Sequence, residues 1–479
     1  MQRITPDRRW PLFDIAATRQ IEQAAALSLP SHALMQRAGL AVARLALALA
    51  PHAGTVWIAC GPGNNGGDGL EAALHLQRWG KAPRVSWLGE ADKAPADALA
   101  SLERARQAGV SISEFPAPTW DLAIDALLGI GSSRAPEQRL AQWISAMNGG
   151  SVPVLAVDVP SGLDADTGTG LAVRARHTLT LLTVKPGLFT ASGRDASGEV
   201  WYDDLDVATN RNDVAPTAYL SSPAPPMPRM HASHKGSYGD VAVIGGATGM
   251  GGAALLSGSA ALHGGAGRVF VCLLDATAMT VDAVRPELML RPWDSLDLTT
   301  MSVACGCGGG EAVRSVLPKV LSAARSLVLD ADALNAIAAD PQLQSQLKAR
   351  AARSGRATVI TPHPLEAARL LGRTSADVQA NRMAAARELA QRFSCVAVLK
   401  GSGSITASPG ELPVINFTGN AMLATAGTGD VLAGMVAARL AHGVPAFAAA
   451  QQAVHAHGAC ADHWPAGQAL TAAELARRA

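Results

Sequence analysis

The chain is poor in charged residues, aromatic residues and cysteine. Only 16% of its 479 residues are charged, and the formal net charge is +1, so no strong field attracts nucleic acid or a membrane surface. The six cysteines are scattered, without two pairs at zinc-ligand spacing. Cys305 and Cys307, in a Gly-rich turn, are interpreted as small packing residues. We expect a cytoplasmic protein with reduced cysteines and with no nucleic-acid or membrane partner.

Long uninterrupted apolar segments are also missing. The first 13 residues carry three arginines and one aspartate without an apolar core, which argues against a signal peptide. The apolar stretch 251–269 is interrupted by His263, Arg268 and several glycines, so it is not interpreted as a membrane span.

The length of the chain and one Pro-rich stretch predict two domains. A chain of 479 residues is too long for one ordinary domain. Residues 221–229 contain four prolines and show no periodicity, which is typical of a short spacer. The predicted domains are therefore residues 1–220 and 221–479.

A Gly-rich loop follows the first apolar strand of the N-terminal half. Residues 55–60 run into the sequence GPGNNGGDG at 61–69, and we predict a helix over 70–79. Strand, Gly-rich loop and helix form the phosphate cradle of doubly wound α/β folds, although this loop is neither a Rossmann GxGxxG motif nor a P-loop. Two adjacent asparagines are more than a tight turn needs, so a ligand site is favoured over a plain turn.

Other predicted strands of this half also end in polar residues. Asp125, Asp158 and Lys185 lie at or just after such strands, and ligands of open α/β sheets bind beyond the carboxyl ends of the strands. Oxygen atoms of Asp, Asn and Ser suit a hard cation as well as a sugar hydroxyl. A single strand-end Asp is often only a turn former, but several together predict a site.

The motifs GPGNNGGDG, IDALLGIG, VDVPSGLDADTG and TVKPG resemble the YjeF-type N-terminal domain of the NAD(P)H-hydrate epimerase family, over residues 1–210. The resemblance implies a Rossmann-like three-layer fold and a potassium ion held by Asn65, Asp125 and Ser161. We assign proton transfer to Asp158 and Lys185. The implied substrate-binding positions are Asn64, Asn65, Gly66, Gly67, Asp68, Gly129, Ile130, Gly131, Ser132, Ser133, Arg134, Ala135 and Asp158.

A second Gly-rich turn, ATAGTGDVLAG at 424–434, leads into a helix predicted over 431–440. A helix start offers unpaired N–H groups and the positive end of a dipole, and glycine lets a ligand approach the backbone. Asp430 is either a helix cap or a base that faces substrate.

Strand ends of the C-terminal half carry further polar residues. Asp330 and Asp332 fit helix caps, Lys400 fits a solvated loop, and a lone histidine such as His363 is more often structural than catalytic. Because all four lie at the ends of predicted strands, we favour a site.

The motifs HKGSYGDVAVIGG, PELM, LVLDADALN, VITPHPLEA, VLKGSGS and NFTGNAMLATAGTGDVLAG resemble the ADP-dependent NAD(P)H-hydrate dehydratase domain, over residues 229–442. The resemblance implies a ribokinase-like α/β fold and ADP as co-substrate. Two positions depart from the family pattern: Leu365 replaces a Gly, and Ser404 replaces a Thr but keeps the hydroxyl. The implied nucleotide-binding positions are Lys400, Gly401, Ser402, Gly403, Ser404 and Gly429, and the implied substrate positions are Ala253, Gly308, His363 and Asp430.

Together the two resemblances imply repair of NADH and NADPH hydrated at C6 of the nicotinamide ring. The N-terminal domain would interconvert the R and S epimers, and the C-terminal domain would dehydrate the S epimer while ADP becomes AMP and phosphate. Asp430 would accept the hydroxyl proton, and Mg²⁺ is the expected charge partner, although no protein cage for it is visible.

Two alternatives stay open. The C-terminal half could be a small-molecule kinase, and the N-terminal half could be a non-catalytic binding domain. The apolar helix predicted over 32–50 suits either a core or a dimer interface, and we expect a homo-oligomer.

Overall fold

The computed structural model describes all residues except 132–134, 208–213, 226–228, 276, 278 and 354–355. The chain divides into two compact units. The first comprises Met1–Thr5 and Trp10–Ala218, and the second comprises Pro6–Arg9 and Tyr219–Ala479.

The first unit alternates strands and helices along the chain, as the strand, loop and helix patterns predicted. Its elements are β1 (Gln2–Arg3), β2 (Pro11–Leu12), α1 (Ile15–Ser28), α2 (Ala33–Leu49), β3 (Thr55–Cys60), α3 (Asn64–Arg78), β4 (Ala82–Trp87), α4 (Ala96–Gln107), β5 (Ser111–Ser113), β6 (Leu122–Ala126), α5 (Gln138–Gly149), β7 (Val154–Val157), β8 (His177–Leu181), α6 (Gly193–Ser197) and β9 (Glu199–Asp203).

The strands of this unit other than β2 form a sheet in the order β1-β9-β8-β7-β6-β3-β4-β5. All neighbours pair in parallel except β1 and β9. The chain runs outward from β3 to β5 and then returns to the other side of β3 to form β6. The strand order therefore reverses between β3 and β6, which is where ligands bind in open α/β sheets.

Side-chain alternation along β3 explains the three layers. Val56 and Ile58 pack in a core with α1 to α4, whereas Trp57 and Ala59 pack on the opposite face with Trp143 of α5. Successive residues of a strand point to opposite faces of the sheet. An apolar run therefore buries both faces, which confirms the Rossmann-like fold.

Helix α3 begins at Asn64, six residues before the predicted start at residue 70. The glycines that suggested a loop are packing positions inside the helix. A Cβ atom on Gly66 would lie 2.0 Å from the carbonyl oxygen of Gly61, and one on Gly69 would lie 2.8 Å from Cys60 Sγ. Only residues without a side chain allow this approach, so composition alone misplaced the boundary.

The second unit is also built from strand–turn–helix repeats. Its elements are β10 (Ala218–Leu220), β11 (Asp240–Gly245), α7 (Gly251–His263), β12 (Arg268–Leu273), β13 (Met289–Leu290), β14 (Ser302–Cys305), α8 (Val313–Ala323), β15 (Ser326–Leu329), α9 (Ala331–Ala339), α10 (Pro341–Ala349), β16 (Ala357–Ile360), α11 (Pro364–Leu371), α12 (Ser375–Ala380), α13 (Arg382–Phe393), β17 (Val396–Leu399), β18 (Ile405–Ala407), β19 (Val414–Ile415), α14 (Thr428–Ala441), α15 (Ala446–Asp462) and α16 (Ala472–Arg477).

The strands of this unit run in the order β13-β12-β11-β14-β15-β16-β17-β18-β19-β10. The first seven pair in parallel, and β18 is antiparallel to both of its neighbours. This mixed sheet, flanked by helices, is the ribokinase-like α/β fold that the motifs implied. The order reverses between β11 and β14, so the loops after these strands face one another.

Helix α14 lies across this sheet and packs tightly on α7. A Cβ atom on Gly434 would lie 2.0 Å from the carbonyl oxygen of Ser257, so the two helices meet at backbone distance. Helix α14 begins at Thr428 rather than at the predicted residue 431, and Gly427 precedes it with φ of 88°. The contact fixes where the N-terminus of α14 points.

Three other expectations concern the chain as a whole. The apolar side of α2, including Val42 and Leu45, lies in the core of its own unit. The six cysteines form no disulfide bond. None of the helices in the described part of the chain is long and apolar enough to cross a membrane.

Replacing Gly66 with Ala should destabilise the first unit by about 1–3 kcal/mol, because the added methyl group meets backbone that cannot move away. Seven of the nine tryptophans belong to this unit, so urea unfolding followed by tryptophan fluorescence reports on it. Gly63→Ala is the control, because a Cβ atom there has nothing within 4 Å. Equal stability of the two variants would contradict this packing account.

Candidate active sites

A cavity of about 750 Å³ opens at the switch point of the first sheet. The loop after β3, the loop after β6 and the ends of β7 and β8 contribute to it, as the strand order requires. Of the residues predicted to bind substrate or move protons, the cavity is lined by Asn64, Asn65, Asp68, Gly129, Ile130, Gly131, Asp158 and Lys185.

Other predicted residues of this half lie elsewhere. Gly66 and Gly67 are buried in packing contacts, Gly67 against Met35. Ala135 lines a separate cavity that also touches Gly129. Ser132, Ser133 and Arg134 lie outside the described residues.

The N-terminus of α3 faces this cavity. Within the described part of the chain, no group accepts a hydrogen bond from the backbone N–H of Asn64 or Asn65. Unpaired N–H groups at a helix start, together with the helix dipole, favour an anionic group. This end of the cavity therefore suits a phosphate of a nucleotide.

Asp158 and Lys185 form an ion pair in the cavity wall. The Lys185 ammonium is 1% exposed and also donates to the carbonyl oxygen of Leu181 at 2.6 Å. The Leu181 N–H donates to Asp158 Oδ1 at 3.2 Å. Asp158 has φ of 67°, a conformation that costs a non-glycine residue about 1–2 kcal/mol. The ion pair and the strained backbone of Asp158 together place its carboxylate at the cavity, which fits a proton-transfer role.

Asp125 and Ser161 lie together behind the cavity. Ser161 donates its hydroxyl to Asp125 Oδ1 at 2.6 Å and its N–H to Oδ2 at 2.8 Å. Burial raises the pKa of Asp125 to about 6, although these hydrogen bonds oppose the rise. No cationic side chain among the described residues balances this carboxylate.

Asn65 completes the predicted potassium set. A Cβ atom on Gly129 would lie 3.5 Å from Asn65 Oδ1, so this amide borders the same loop as Asp125. A buried carboxylate without a cationic partner, next to amide and hydroxyl oxygens, fits a monovalent cation. The three residues therefore suit the implied potassium ion.

The C-terminal candidate residues also converge, at the carboxyl ends of β14, β15 and β17. Lys400 donates to Asp330 Oδ1 at 2.6 Å, and a Cβ atom on Gly429 would lie 3.3 Å from Lys400 Nζ. Cys307, Asp330 and Asp430 bring their potential ligand atoms within 4.8 Å of one another. Asp330 occupies a helix-cap position but makes no capping hydrogen bond, because its carboxylate binds Lys400.

Asp430 lies in the first turn of α14, and Gly427 is the capping residue. Burial raises the pKa of Asp430 to about 6, and the charge of Asp330 adds to this. The Cys307 thiol donates a hydrogen bond to the Asp430 carboxylate, so Cys307 is more than the small packing residue that its Gly-rich context suggested. A carboxylate with a raised pKa is a stronger base than an ordinary aspartate.

The N-terminus of α14 offers two open donors. The Thr428 N–H donates to Thr425 O at 3.4 Å, but within the described residues nothing accepts from the N–H of Gly429 or Asp430. These two N–H groups at the helix start are suited to an anionic ligand.

His363 caps helix α11. The ring Nδ1 of His363 accepts a hydrogen bond from the backbone N–H of Leu365 at 3.1 Å. The backbone N–H of His363 donates to Glu366 Oε2 at 2.8 Å. Burial and Lys400 lower the pKa of His363, so the ring is held neutral. The ring is 46% exposed, which leaves its face available to a ligand. The unusual Leu365 also has an exposed side chain.

The turn Lys400–Ser404 connects β17 to β18 and is held by a residue that the motifs did not indicate. The buried Arg382 guanidinium donates to the carbonyl oxygens of Leu399, at 3.3 Å, and Lys400, at 3.2 Å. Gly401 has φ of 133°, and a Cβ atom there would lie 2.9 Å from Arg382. Arg382 comes from a helix without any sequence signature.

Ala253 and Gly308 meet at the switch point of the second sheet. A Cβ atom on Gly308 would lie 2.9 Å from Ala253 Cβ, and Gly308 has φ of 60°. The carbonyl of Gly308 accepts from the N–H of Ala247 at 2.7 Å. Because Cys307 precedes Gly308, this pair borders the Asp430 cluster.

Helix α15 positions two site loops, which the motif analysis also missed. The buried His457 donates from Nε2 to the carbonyl oxygen of Thr428 at 2.9 Å, and burial lowers its pKa to about 4, so the ring is neutral. Asp462 accepts from the N–H of Gly419 at 2.7 Å.

The acidic cluster is a poor cage for Mg²⁺. One of its three groups is a thiol, and the Asp330 carboxylate already binds Lys400, whereas Mg²⁺ requires oxygen ligands in octahedral geometry. In the described part of the chain no other such group occurs. The residues fit Mg²⁺ only if nucleotide phosphates supply most of its ligands.

Each half of the chain matches the model of a known protein family. Residues 31–187 match the model of the YjeF-related protein N-terminus, and residues 241–478 match that of NAD(P)H-hydrate dehydratase. A solved structure of an ADP/ATP-dependent NAD(P)H-hydrate dehydratase from Bacillus subtilis, co-crystallised with ATP and Mg²⁺, is 30% identical. It covers 54% of this chain and 92% of its own, with a TM-score of 0.45.

Some relatives match both halves of the chain together. The bifunctional NAD(P)H-hydrate repair enzyme Nnr of Escherichia coli is 37% identical over 476 residues, which is 95% of this chain and 90% of the relative. The enzyme of the same name from Coxiella burnetii is 34% identical and covers 94% of both chains. The chain belongs to the family of bifunctional NAD(P)H-hydrate repair enzymes.

Proposed function

We propose that this chain repairs hydrated NADH and NADPH with two activities. Residues 1–220 interconvert the R and S epimers at C6, and residues 221–479 dehydrate the S epimer with ADP as co-substrate. The observation that carries the proposal is the similarity to bifunctional repair enzymes over 95% of this chain. The convergence of candidate residues in each unit supports it.

The dehydration must remove a hydroxyl from C6 and a proton from C5. Hydroxide is a poor leaving group, and phosphorylation by ADP converts it into phosphate, with AMP as the other product. Phosphate then departs as the ring nitrogen supplies its electron pair, and loss of the C5 proton restores the double bond. Atoms and charges balance without an oxidant.

Asp430 is the proposed base for the phosphorylation step. With a pKa of about 6 it is largely ionised at pH 7, and it accepts the proton of the C6 hydroxyl as the phosphoryl group arrives. The open N–H groups of Gly429 and Asp430 stabilise negative charge on that group. Mg²⁺, carried by the nucleotide phosphates, would supply further positive charge.

Asp158 and Lys185 are the proposed proton-transfer pair for epimerisation, which requires a bond at C6 to be broken and remade. Their ion pair places the Asp158 carboxylate in the cavity wall, next to Lys185 Nζ. A potassium ion at Asn65, Asp125 and Ser161 would neutralise the buried carboxylate and order the surrounding loops. The two open N–H groups of α3 suit a phosphate of the dinucleotide.

The competing kinase hypothesis predicts a different product. A small-molecule kinase would leave phosphate on a stable alcohol, whereas the proposed enzyme releases free phosphate. The match of residues 241–478 to the dehydratase model favours the enzyme that releases free phosphate.

Unpaired cysteines suit a cytoplasmic setting. Homo-oligomerisation remains a prediction.

Single substitutions should separate the two activities. Asp158→Ala should abolish R/S exchange but leave dehydration of the S hydrate intact, because the two residues serve different sites. Asp430→Asn should stop dehydration while exchange, followed by chromatography, continues. Normal exchange in Asp158→Ala, or normal dehydration in Asp430→Asn, would remove that residue from its proposed role.

The dehydratase should lose activity in acid. A base works when ionised, so kcat/KM for the S hydrate should fall about tenfold per pH unit below the pKa of Asp430, which is about 6. Initial rates of absorbance recovery between pH 5 and 8 measure this. A rate that stays level down to pH 5, with the enzyme still folded by circular dichroism, would contradict Asp430 as the base.

A further inference from the structure

Helix α1 forms one wall of the N-terminal cavity, and none of the sequence motifs includes it. Arg19, Glu22 and Gln23 line the cavity, whereas Ile21 and Ala25 on the same helix are buried in the core. Residues three and four apart lie on one side of a helix. One side of helix α1 therefore packs in the core, and its polar side, which carries the Glu22 carboxylate, faces the cavity.

Glu22 shares this cavity with Asp68, Asp158 and Lys185. Partial burial raises the pKa of Glu22, the charge of Asp158 raises it further, and Lys185 and Arg19 lower it. Burial and the charges of Asp158 and Glu22 raise the pKa of Asp68 as well. The cavity thus combines an ion pair, Asp158 with Lys185, and two carboxyl groups whose pKa is raised, Glu22 and Asp68.

The epimerisation chemistry needs both kinds of group. C6 of the hydrate carries a hydroxyl and is bonded to the ring nitrogen, so it can open to an aldehyde. The hydroxyl proton goes to a base, the C–O bond becomes a carbonyl, and the C6–N bond breaks with its electron pair on nitrogen, which takes a proton from an acid. Closure on the opposite face reverses each transfer and gives the other epimer.

We propose that Glu22 is the catalytic acid of this step, donating a proton to the ring nitrogen while Asp158 accepts the hydroxyl proton. The inference rests on the proposed epimerase function of the N-terminal unit. Glu22 lies on the α1 wall of the cavity, whereas Asp158 and Lys185 lie at the strand ends. Glu22 and Asp158 can therefore contact different atoms of one ring. Glu22 is more exposed than Asp68, so Glu22 is the group that solvent reprotonates more readily between turnovers.

The direct test compares Glu22→Gln with Glu103→Gln, an exposed glutamate on α4 that does not line the cavity. R/S exchange is measured by chromatography with potassium and without ADP, so that dehydration does not consume substrate. Glu22→Gln should lower exchange about 10²-fold, after subtraction of the uncatalysed rate, as expected for loss of a general acid. Glu103→Gln should match the wild type, and Glu22→Asp should recover part of the activity.

The pH profile distinguishes a catalytic acid from a structural residue. The charged groups around Glu22 are Arg19 on α1, Asp97 on α4, Asp68 on α3, and Asp158 and Lys185 at the strand ends. An acid works when protonated, so wild-type exchange should fall as pH rises through the pKa of Glu22. Glu22→Gln should lack this fall, because its amide has no proton to lose.

Two results would overturn the assignment. One is exchange by Glu22→Gln at the rate of Glu103→Gln. The other is a slower Glu22→Gln with the pH profile of the wild type, which would point to Asp68 or to structural damage. If the wild type itself does not exchange the epimers, the proposed epimerase function fails. If the wild type and Glu22→Gln are both active, only the assignment of Glu22 fails.

Discussion

Each site depends on a helix that a glycine fixes at backbone distance from its neighbour, so that the N-terminus of the helix points at the site. Helix α3 reaches the end of β3 because Gly66 meets the carbonyl of Gly61, and α14 crosses α7 because Gly434 meets the carbonyl of Ser257. Among the described residues, no group accepts from two of the N–H groups at the start of each helix. These open donors suit an anionic group, and they lie near the polar strand ends of their unit.

Charge is arranged in the same way in both units. In each unit a lysine from a strand end is bound to one aspartate and one partner of the pair is buried: Lys185 with Asp158, and Lys400 with the buried Asp330. Removing either partner of such a pair would leave an uncompensated buried charge. A second carboxyl group nearby, Asp68 in one unit and Asp430 in the other, has a raised pKa, and perturbed carboxyl groups of this kind are typical of functional sites.

The sequence predicted the strands and their polar ends well, because side-chain periodicity and turn chemistry are local properties. It placed the starts of α3 and α14 too late, since glycines needed for tertiary packing look like loop residues. It did not indicate Arg382, His457 or Glu22, because each acts from a helix without a motif and meets the site only through the fold. The contact of Cys307 with Asp430 was missed for the same reason, since it joins residues far apart in sequence.

The central claim is that one chain returns both epimers of the hydrate to the reduced cofactor. The most direct measurement is recovery of reduced-nicotinamide absorbance from a mixed R/S hydrate with the purified protein and potassium, with and without ADP. The account predicts complete recovery that requires ADP. Recovery that stalls once the S epimer is spent would contradict the epimerase half, and no recovery with ADP or ATP would contradict the dehydratase.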